Sequence, residues 1–310
     1  MNKIKKNSVP ANLLKSFARH PGCWLMLLIP MVYIIIFDYV PMYGIQLAFR
    51  EVNPIGGITK GKFIGLENFR VFTSSFMFLR LLRNTITLSL YQLAAGFPIP
   101  IILAFCINEL RNIKVKRIVQ TITYMPHFIS VIVLVSIMQM VFSPHMGIVN
   151  NLIKFLGGEA RNFMGRPDSF RHFYVWSGVW QGMGYGAIIY IAALTSIDPA
   201  LHEAAMVDGA SRWTRILHID LPGIMNTIVV LLILNCGRIM SVGFEKAFLM
   251  QNNMNSVVSE VIPTYVYKIG LLNNNYSFAT AVGLFNSVIN LILIVSVNKL
   301  AQKYNQVSLW

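Results

Sequence analysis

Apolar residues run for membrane-length distances six times along this chain, at about 24–46, 84–106, 118–142, 174–196, 223–243 and 279–298. A bilayer core about 30 Å thick needs roughly 20 such residues as a helix. Each run therefore predicts one transmembrane span. Between the runs the pattern turns mixed. The stretches 47–83 and 143–173 carry turn pairs, among them Asn53-Pro54, Gly56-Gly57, Ser143-Pro144 and Arg166-Pro167, with a short surface helix expected around 147–156. The stretch 244–278 holds Glu245, Lys246 and a run of asparagines. The pattern predicts an all-α membrane protein, with a basic tail over 1–22 and a single transmembrane domain over 23–310.

One mixed-polarity stretch, 197–222, has an internal design. Asp198 suits a helix N-cap and Pro199 the first helical position, where a missing N–H costs nothing. Leu201, Ala204, Ala205 and Val207 continue that helix until Asp208-Gly209 stops it, glycine being able to take φ > 0 after a helix end. A second short helix is expected from Ser211, carrying Trp213, Ile216 and Leu217, before Asp220-Leu221-Pro222 restarts the chain into the fifth span. Ala204, Ala205, Gly209 and Ala210 cluster at the bend, where a partner's backbone can come close. The stretch reads as a docking knuckle at the membrane surface.

Composition narrows the class further. Of 310 residues, 55% are hydrophobic and 12% charged, and the mean hydropathy is +0.58. A soluble domain carries about twice that charge. The net charge of +14 is explained by Lys and Arg at helix ends, facing anionic headgroups, without nucleic acid. Lys3, Lys5, Lys6, Lys15 and Arg19 before the first run, and the basic loop 107–117, place the N-terminus in the cytoplasm. An even number of spans then returns the C-terminus to the same side. The first run is too long for a signal peptide and no small-residue cleavage site closes it. Cys23, Cys106 and Cys236 have neither disulfide nor metal spacing and read as small hydrophobes.

No hydrolytic or metal constellation emerges, so the chain is not read as an enzyme. Gly56 to Phe63 has phosphate-loop spacing, but Phe63 stands where Mg²⁺ needs a hydroxyl, and no strand leads into it. ATP is expected on another chain. Polar residues inside spans are costly unless they meet a partner or a wet cavity. Gln139, Gln181, Asn235, Arg238, Asn286 and Asn290 are such residues. Arg238 suits a pathway for an anionic or polyhydroxylated solute; its alternatives are an ion pair with Glu245 or snorkelling to the headgroups. Tyr185 and Tyr190 offer aromatic faces to sugar C–H groups, as do Trp176 and Trp180, which interfacial belts explain equally well.

Glu203-Ala204-Ala205, then Gly209 after a short gap, then Ile219-x-Leu221-Pro222, resembles the "EAA" loop of binding-protein-dependent ABC importer permeases. Gly65-Leu66-Glu67-Asn68-Phe69 resembles the stretch that precedes the second span in many sugar-importer permeases. Pro41-Met42-Tyr43-Gly44, Gly243-Phe244-Glu245-Lys246 and the terminal Ser308-Leu309-Trp310 are similar to the LplB-type, MalF-like half of importers for complex oligosaccharides, including uronate-containing fragments. The resemblance implies a MalF/MetI-like fold in a bacterial cell membrane. It implies a second, MalG-like permease as heterodimer partner, two ATPase subunits that carry ATP and Mg²⁺, and an extracytoplasmic solute-binding protein. It implies further that Glu203, Ala204, Ala205, Asp208, Gly209, Ile219, Leu221 and Pro222 couple ATPase closure to alternating access. Two rivals stand beside it. An ion-coupled secondary transporter should show paired span carboxylates, whereas Asp38 is nearly the only one. A membrane enzyme of glycan assembly needs a converging acidic pair; Glu245 and Glu260 lie in one outer loop, but nothing in the sequence brings them together.

Overall fold

The computed structural model describes residues 19, 21–51 and 61–305. The basic tail residues Lys3, Lys5, Lys6 and Lys15, the turns at Asn53-Pro54 and Gly56-Gly57, and the terminal Ser308-Leu309-Trp310 lie outside the described residues. Helix dominates throughout, and only an isolated bridge between Arg50 and Phe63 pairs extended backbone among the described residues.

Three helices are individually long and apolar enough to cross a membrane: α1 (Pro21–Phe49), α3 (Phe76–Asn108) and the last helix, α14, over Tyr276–Asn305. Three bent pairs raise the count to six by length and composition. The first comprises α4 (Ile113–Phe128) and α5 (Val131–Val141), bent by 96°. The second comprises α7 (Pro167–Leu194) and α8 (Pro199–Val207), bent by 77°. The third comprises α9 (Arg212–Gly223) and α10 (Met225–Cys236), bent by 62°. Smaller helices fill the connections: α2 (Glu67–Ser74), α6 (Ile148–Phe155), α11 (Phe244–Met250), α12 (Ser256–Ser259) and α13 (Ile262–Tyr267).

Two of the expected runs behave differently from straight spans. The run 118–142 is broken, because Pro126 sits in a tight turn and Ser130 then caps α5 by accepting the Val133 N–H at 3.3 Å. The run 223–243 is helical only to Cys236. Beyond it, Asn290 on α14 accepts the Met240 N–H at 2.9 Å and donates to the Ser241 hydroxyl at 2.9 Å. That amide replaces a helical bond and lets the chain unwind at residues 237–240. Arg238 therefore lies in a turn past the end of α10, and Asn290 is a structural clamp.

The core centres on α7, which packs against α3, the α4–α5 turn, α11 and α12. Leu88, Val135, Phe170, Tyr174 and Val261 form one buried cluster, and Ala104, Ile107, Tyr190, Leu194 and Ile224 a second nearer the 77° bend. A third joins α2, α3 and α14 through Phe72, Leu81, Phe278 and Val282. In contrast, α1 fully buries only Ala48: its end, from Gly44 to Phe49, packs against α14, with Phe49 meeting Phe69, while nearly all its side chains from Pro21 to Tyr43 are exposed. Gly184 lets α7 touch α4: a Cβ there would stand 2.0 Å from the Thr123 carbonyl oxygen. Gly184→Ala must push two helix backbones apart. We expect it to cost about 1–3 kcal/mol, read as a lower Tm of the purified protein in detergent than the wild type.

Candidate functional site: a polar cavity and an exposed knuckle

A cavity of ≈ 790 Å³ opens between α3, the α4–α5 break, α7 and the unwound segment after α10. Its apolar wall draws on the first core cluster, and its polar groups come from Gln92, His127, Gln181, Asn235, Arg238, Glu245 and Lys246, with Ser89, Ser130 and Ser241 beside them. A second volume of ≈ 240 Å³ shares Gln92, Gly178 and Asn235 with it and continues along α7 to Tyr190. The polar side chains reach this space because helices on its wall are interrupted. The α4–α5 break brings His127 and Ser130 to it, and the unwinding at residue 237 brings Arg238 and Ser241.

Gln181, Asn235 and Arg238, singled out as span polar residues, all line the cavity. Gln181 also donates to the Ile129 carbonyl at 2.7 Å, holding the α4–α5 break against α7. Asn235 donates back to the Leu231 carbonyl at 2.7 Å. Gln139, Tyr185 and Asn286 stand outside the lining. Gln139 is exposed, 3.5 Å from the Leu249 carbonyl. Tyr185 stacks flat on the His127 ring, 3.9 Å between centroids and 4° between planes, and so supports a lining residue from outside. The Asn286 amide oxygen is buried on α14 without a partner. No ion pair joins Arg238 to Glu245 among the described residues.

Lys246 is the residue that the linear pattern hides. It is 8% exposed, its Nζ donates to the Tyr174 carbonyl at 2.7 Å, and it lies 4.8 Å from the centre of the Tyr174 ring. Among the described residues no carboxylate stands within ion-pair distance of it, although Glu245 lines the same cavity. Burial lowers its ammonium to about 8. Gln92 meets it over Gly178, where a Cβ would lie 3.1 Å from both the Gln92 amide nitrogen and the Lys246 Nζ. The Gln92 amide oxygen is buried with no protein partner. Gln92 carried a signal, a polar residue in the 84–106 run. Lys246 carried none, because α11 is a short helix in a stretch of mixed polarity.

At the other end of α7 stands the knuckle. Asp198 accepts the Ala200 N–H at 2.9 Å and starts α8 behind Pro199. Gly209 ends the turn at φ 77°, with the Ala210 N–H reaching back to the Ala205 carbonyl at 2.9 Å. Ser211 then caps α9 by accepting the Thr214 N–H at 3.2 Å. Inside the knuckle, His202 Nε2 lies 3.2 Å from the buried carboxylate of Asp220, tying α8 to α9. Arg212 faces Glu109 at 3.8 Å, which links the knuckle to the end of α3. Glu203, Ala204, Asp208, Gly209 and Pro222 are exposed, while Ala205, Ile219 and Leu221 are half-buried. Around them Val207 is 88% exposed and Trp213 75%. An apolar patch of this kind, exposed at one end of the bundle, suits an interaction site.

A helical bundle of membrane-crossing length, with a polar cavity inside and exposed apolar side chains on a knuckle at one end, fits a membrane transport protein. Residues 96–306 match the model of the "Binding-protein-dependent transport system inner membrane component" family, and the chain belongs to that family. It is 43% identical to protein LplB of Bacillus subtilis, over 93% of this chain and 91% of that protein. It is 41% identical to YteP, a polygalacturonan/rhamnogalacturonan transport system permease of the same organism, over 98% of this chain and 94% of that one. Its fold is similar to a subunit of the crystal structure of a bacterial ABC transporter involved in the import of the acidic polysaccharide alginate. That match has a TM-score of 0.87 and 39% identity, covering 95% of this chain and 99% of the other. A second structure of an alginate transporter, in complex with an alginate pentasaccharide-bound periplasmic protein, matches with the same TM-score and 38% identity, over 96% of this chain and 99% of that one.

Proposed function

We propose that this chain is the MalF-like permease half of an ATP-driven importer of acidic oligosaccharides. The observation that carries the acidic part is Lys246, a buried ammonium on the wall of a sugar-sized cavity that makes no ion pair among the described residues, Glu245 lining the same cavity beyond ion-pair distance. Such a charge is expensive to bury unpaired. A uronate carboxylate arriving in the cavity supplies the missing partner, with Gln92 and Asn235 beside it for hydroxyl groups. The relatives that handle alginate and polygalacturonan support the same class.

In this reading both termini are cytoplasmic and the knuckle faces the cytoplasm. Two ATPase subunits, which hold ATP and Mg²⁺, receive Glu203 to Pro222 in a cleft. A second, MalG-like permease completes the pathway, and α1, with its outward-facing side chains, lies against that partner or against lipid. A solute-binding protein delivers the sugar from outside. Closure of the ATPases pulls the knuckle, and the 77° and 62° bends pass that movement to α7 and α10, which wall the cavity.

Lys246 gives this reading a pH signature. Below about 8 it is charged and attracts the carboxylate; above that it is neutral and the attraction is lost. A bound carboxylate favours the charged form, so the loss should appear chiefly as a rising KM. Uptake of an oligogalacturonate by proteoliposomes is expected to weaken between about pH 7 and about pH 9.5, with kcat changing less. A KM flat across that range would count against Lys246 as the carboxylate's partner.

A further inference from the structure

Three arginines converge at the end of the bundle opposite the knuckle. Arg80 and Arg83 lie in the first turns of α3 and Arg171 in the second turn of α7, around a recess of ≈ 410 Å³ with Val257 of α12 on its edge. The floor is rigid. Arg171 donates to the Asn84 side-chain amide oxygen Oδ1 at 3.2 Å, and the Nδ2 of that buried amide donates to the Val257 and Glu260 backbone carbonyls at 2.8 and 3.0 Å. Yet the Arg171 Nε is buried with no acceptor. Arg83 is near enough for its charge to act on Arg171. Arg80 makes only a 3.9 Å approach to the Met77 sulfur. None of the three joins an ion pair among the described residues, and the neighbouring Glu260 commits its carboxylate to Lys268 at 2.9 Å. Like charges gathered on a fixed floor repel one another until an anion arrives.

The recess shares no lining residue with the ≈ 790 Å³ cavity, so it is not a part of the sugar's chamber. It stands near the start of α7, whose 28 residues separate it by about 40 Å from the knuckle that follows the helix's other end. If the knuckle meets the ATPases, the recess faces the opposite side, where a binding protein arrives. Guanidinium groups grip carboxylates through paired, planar hydrogen bonds. We propose that Arg80, Arg83 and Arg171 form a docking recess for an acidic side chain of the solute-binding protein. The inference rests on the importer reading above.

The test uses the whole importer in nanodiscs of zwitterionic lipid, titrated with its sugar-loaded solute-binding protein while ATP hydrolysis is followed. Arg80→Glu with Arg83→Glu is expected to raise the half-stimulating concentration by about tenfold or more, leaving basal and saturated rates unchanged. Arg80→Lys with Arg83→Lys is expected to restore most of that loss. The wild type should lose affinity as salt rises from about 0.05 M to about 0.5 M, and the charge-reversed complex should not. Arg171 is left in place because Asn84 depends on it. An unchanged half-stimulating concentration in the charge-reversed complex overturns the proposal. So does a shift seen only when anionic lipid is added, which would assign the recess to headgroups. So does a defect in sugar uptake with binding-protein affinity intact, which would assign it to the saccharide. A wild-type complex that no binding protein stimulates would instead overturn the importer reading itself.

Discussion

Val207→Arg is expected to abolish ATP-driven uptake while leaving the chain folded in the membrane. Val207 is 88% exposed at the end of α8, beside Met206 at 53% and Trp213 at 75%. It touches little within the chain, so a larger charged side chain there should not lower the Tm. In an ATPase cleft the same position must be desolvated, and an unpaired buried cation costs several kcal/mol. A loss of about 3 kcal/mol corresponds to more than about a hundredfold weaker association. The expected result is a tagged chain that still purifies with its partner permease but without the ATPases, and uptake near background. Retention of the ATPases at wild-type level would place the docking surface elsewhere.

Lys246→Met carries the second large effect, and it concerns selectivity. The two side chains have similar length and volume, and replacing a buried unpaired charge by an apolar group is often neutral or stabilising. The fold should therefore survive. A desolvated charge pair contributes roughly 2 kcal/mol, equivalent to about a thirtyfold change. Oligogalacturonate uptake is expected to fall by about that factor, chiefly in KM, while any residual uptake of an uncharged oligosaccharide of equal length rises or stays level. An equal loss for both sugars would make Lys246 a structural residue, holding α11 to α7 through the Tyr174 carbonyl.

The knuckle was readable in the linear pattern because local chemistry determines it. Asp198 before Pro199, Gly209 after Asp208 and Ser211 before Arg212 each act on backbone groups within a few residues, and the structure shows each cap and turn in place. Span existence was readable for the same reason, since the bilayer's thickness imposes a length on any apolar run. Interruptions inside spans were not. The unwinding after Cys236 depends on Asn290, fifty residues away in sequence, and no local pattern announces that bond. The cavity suffers the same limit. Gln181, Asn235 and Arg238 could be flagged as polar residues in apolar runs, but Lys246 lies in a stretch that resembles an ordinary hydrophilic connection. Only packing of α11 against α5 and α7 buries it. The amphipathic exceptions ran the other way as well: Gln139 and Tyr185 are polar or aromatic in the correct runs yet point away from the chamber.

The two ends of α7 divide the work of such a transporter. One end presents an apolar knuckle fixed by Asp198, Gly209 and the His202–Asp220 contact. Its middle walls the cavity through Tyr174, Gly178 and Gln181. A single helix of 28 residues runs from the cavity wall to the short turn before the knuckle, the route along which the proposed coupling would act. The α4–α5 break and the unwound segment after α10 bring His127, Ser130, Arg238 and Ser241 to the cavity.

The most direct test of the central claim is uptake by proteoliposomes holding this chain with its partner permease and ATPases, the binding protein and radiolabelled oligogalacturonate being added outside. The account predicts accumulation only when ATP is enclosed on the side that the knuckle faces, none when an ion gradient is imposed without ATP, and none without the binding protein. Uptake driven by an ion gradient alone, from this chain reconstituted by itself, would contradict it.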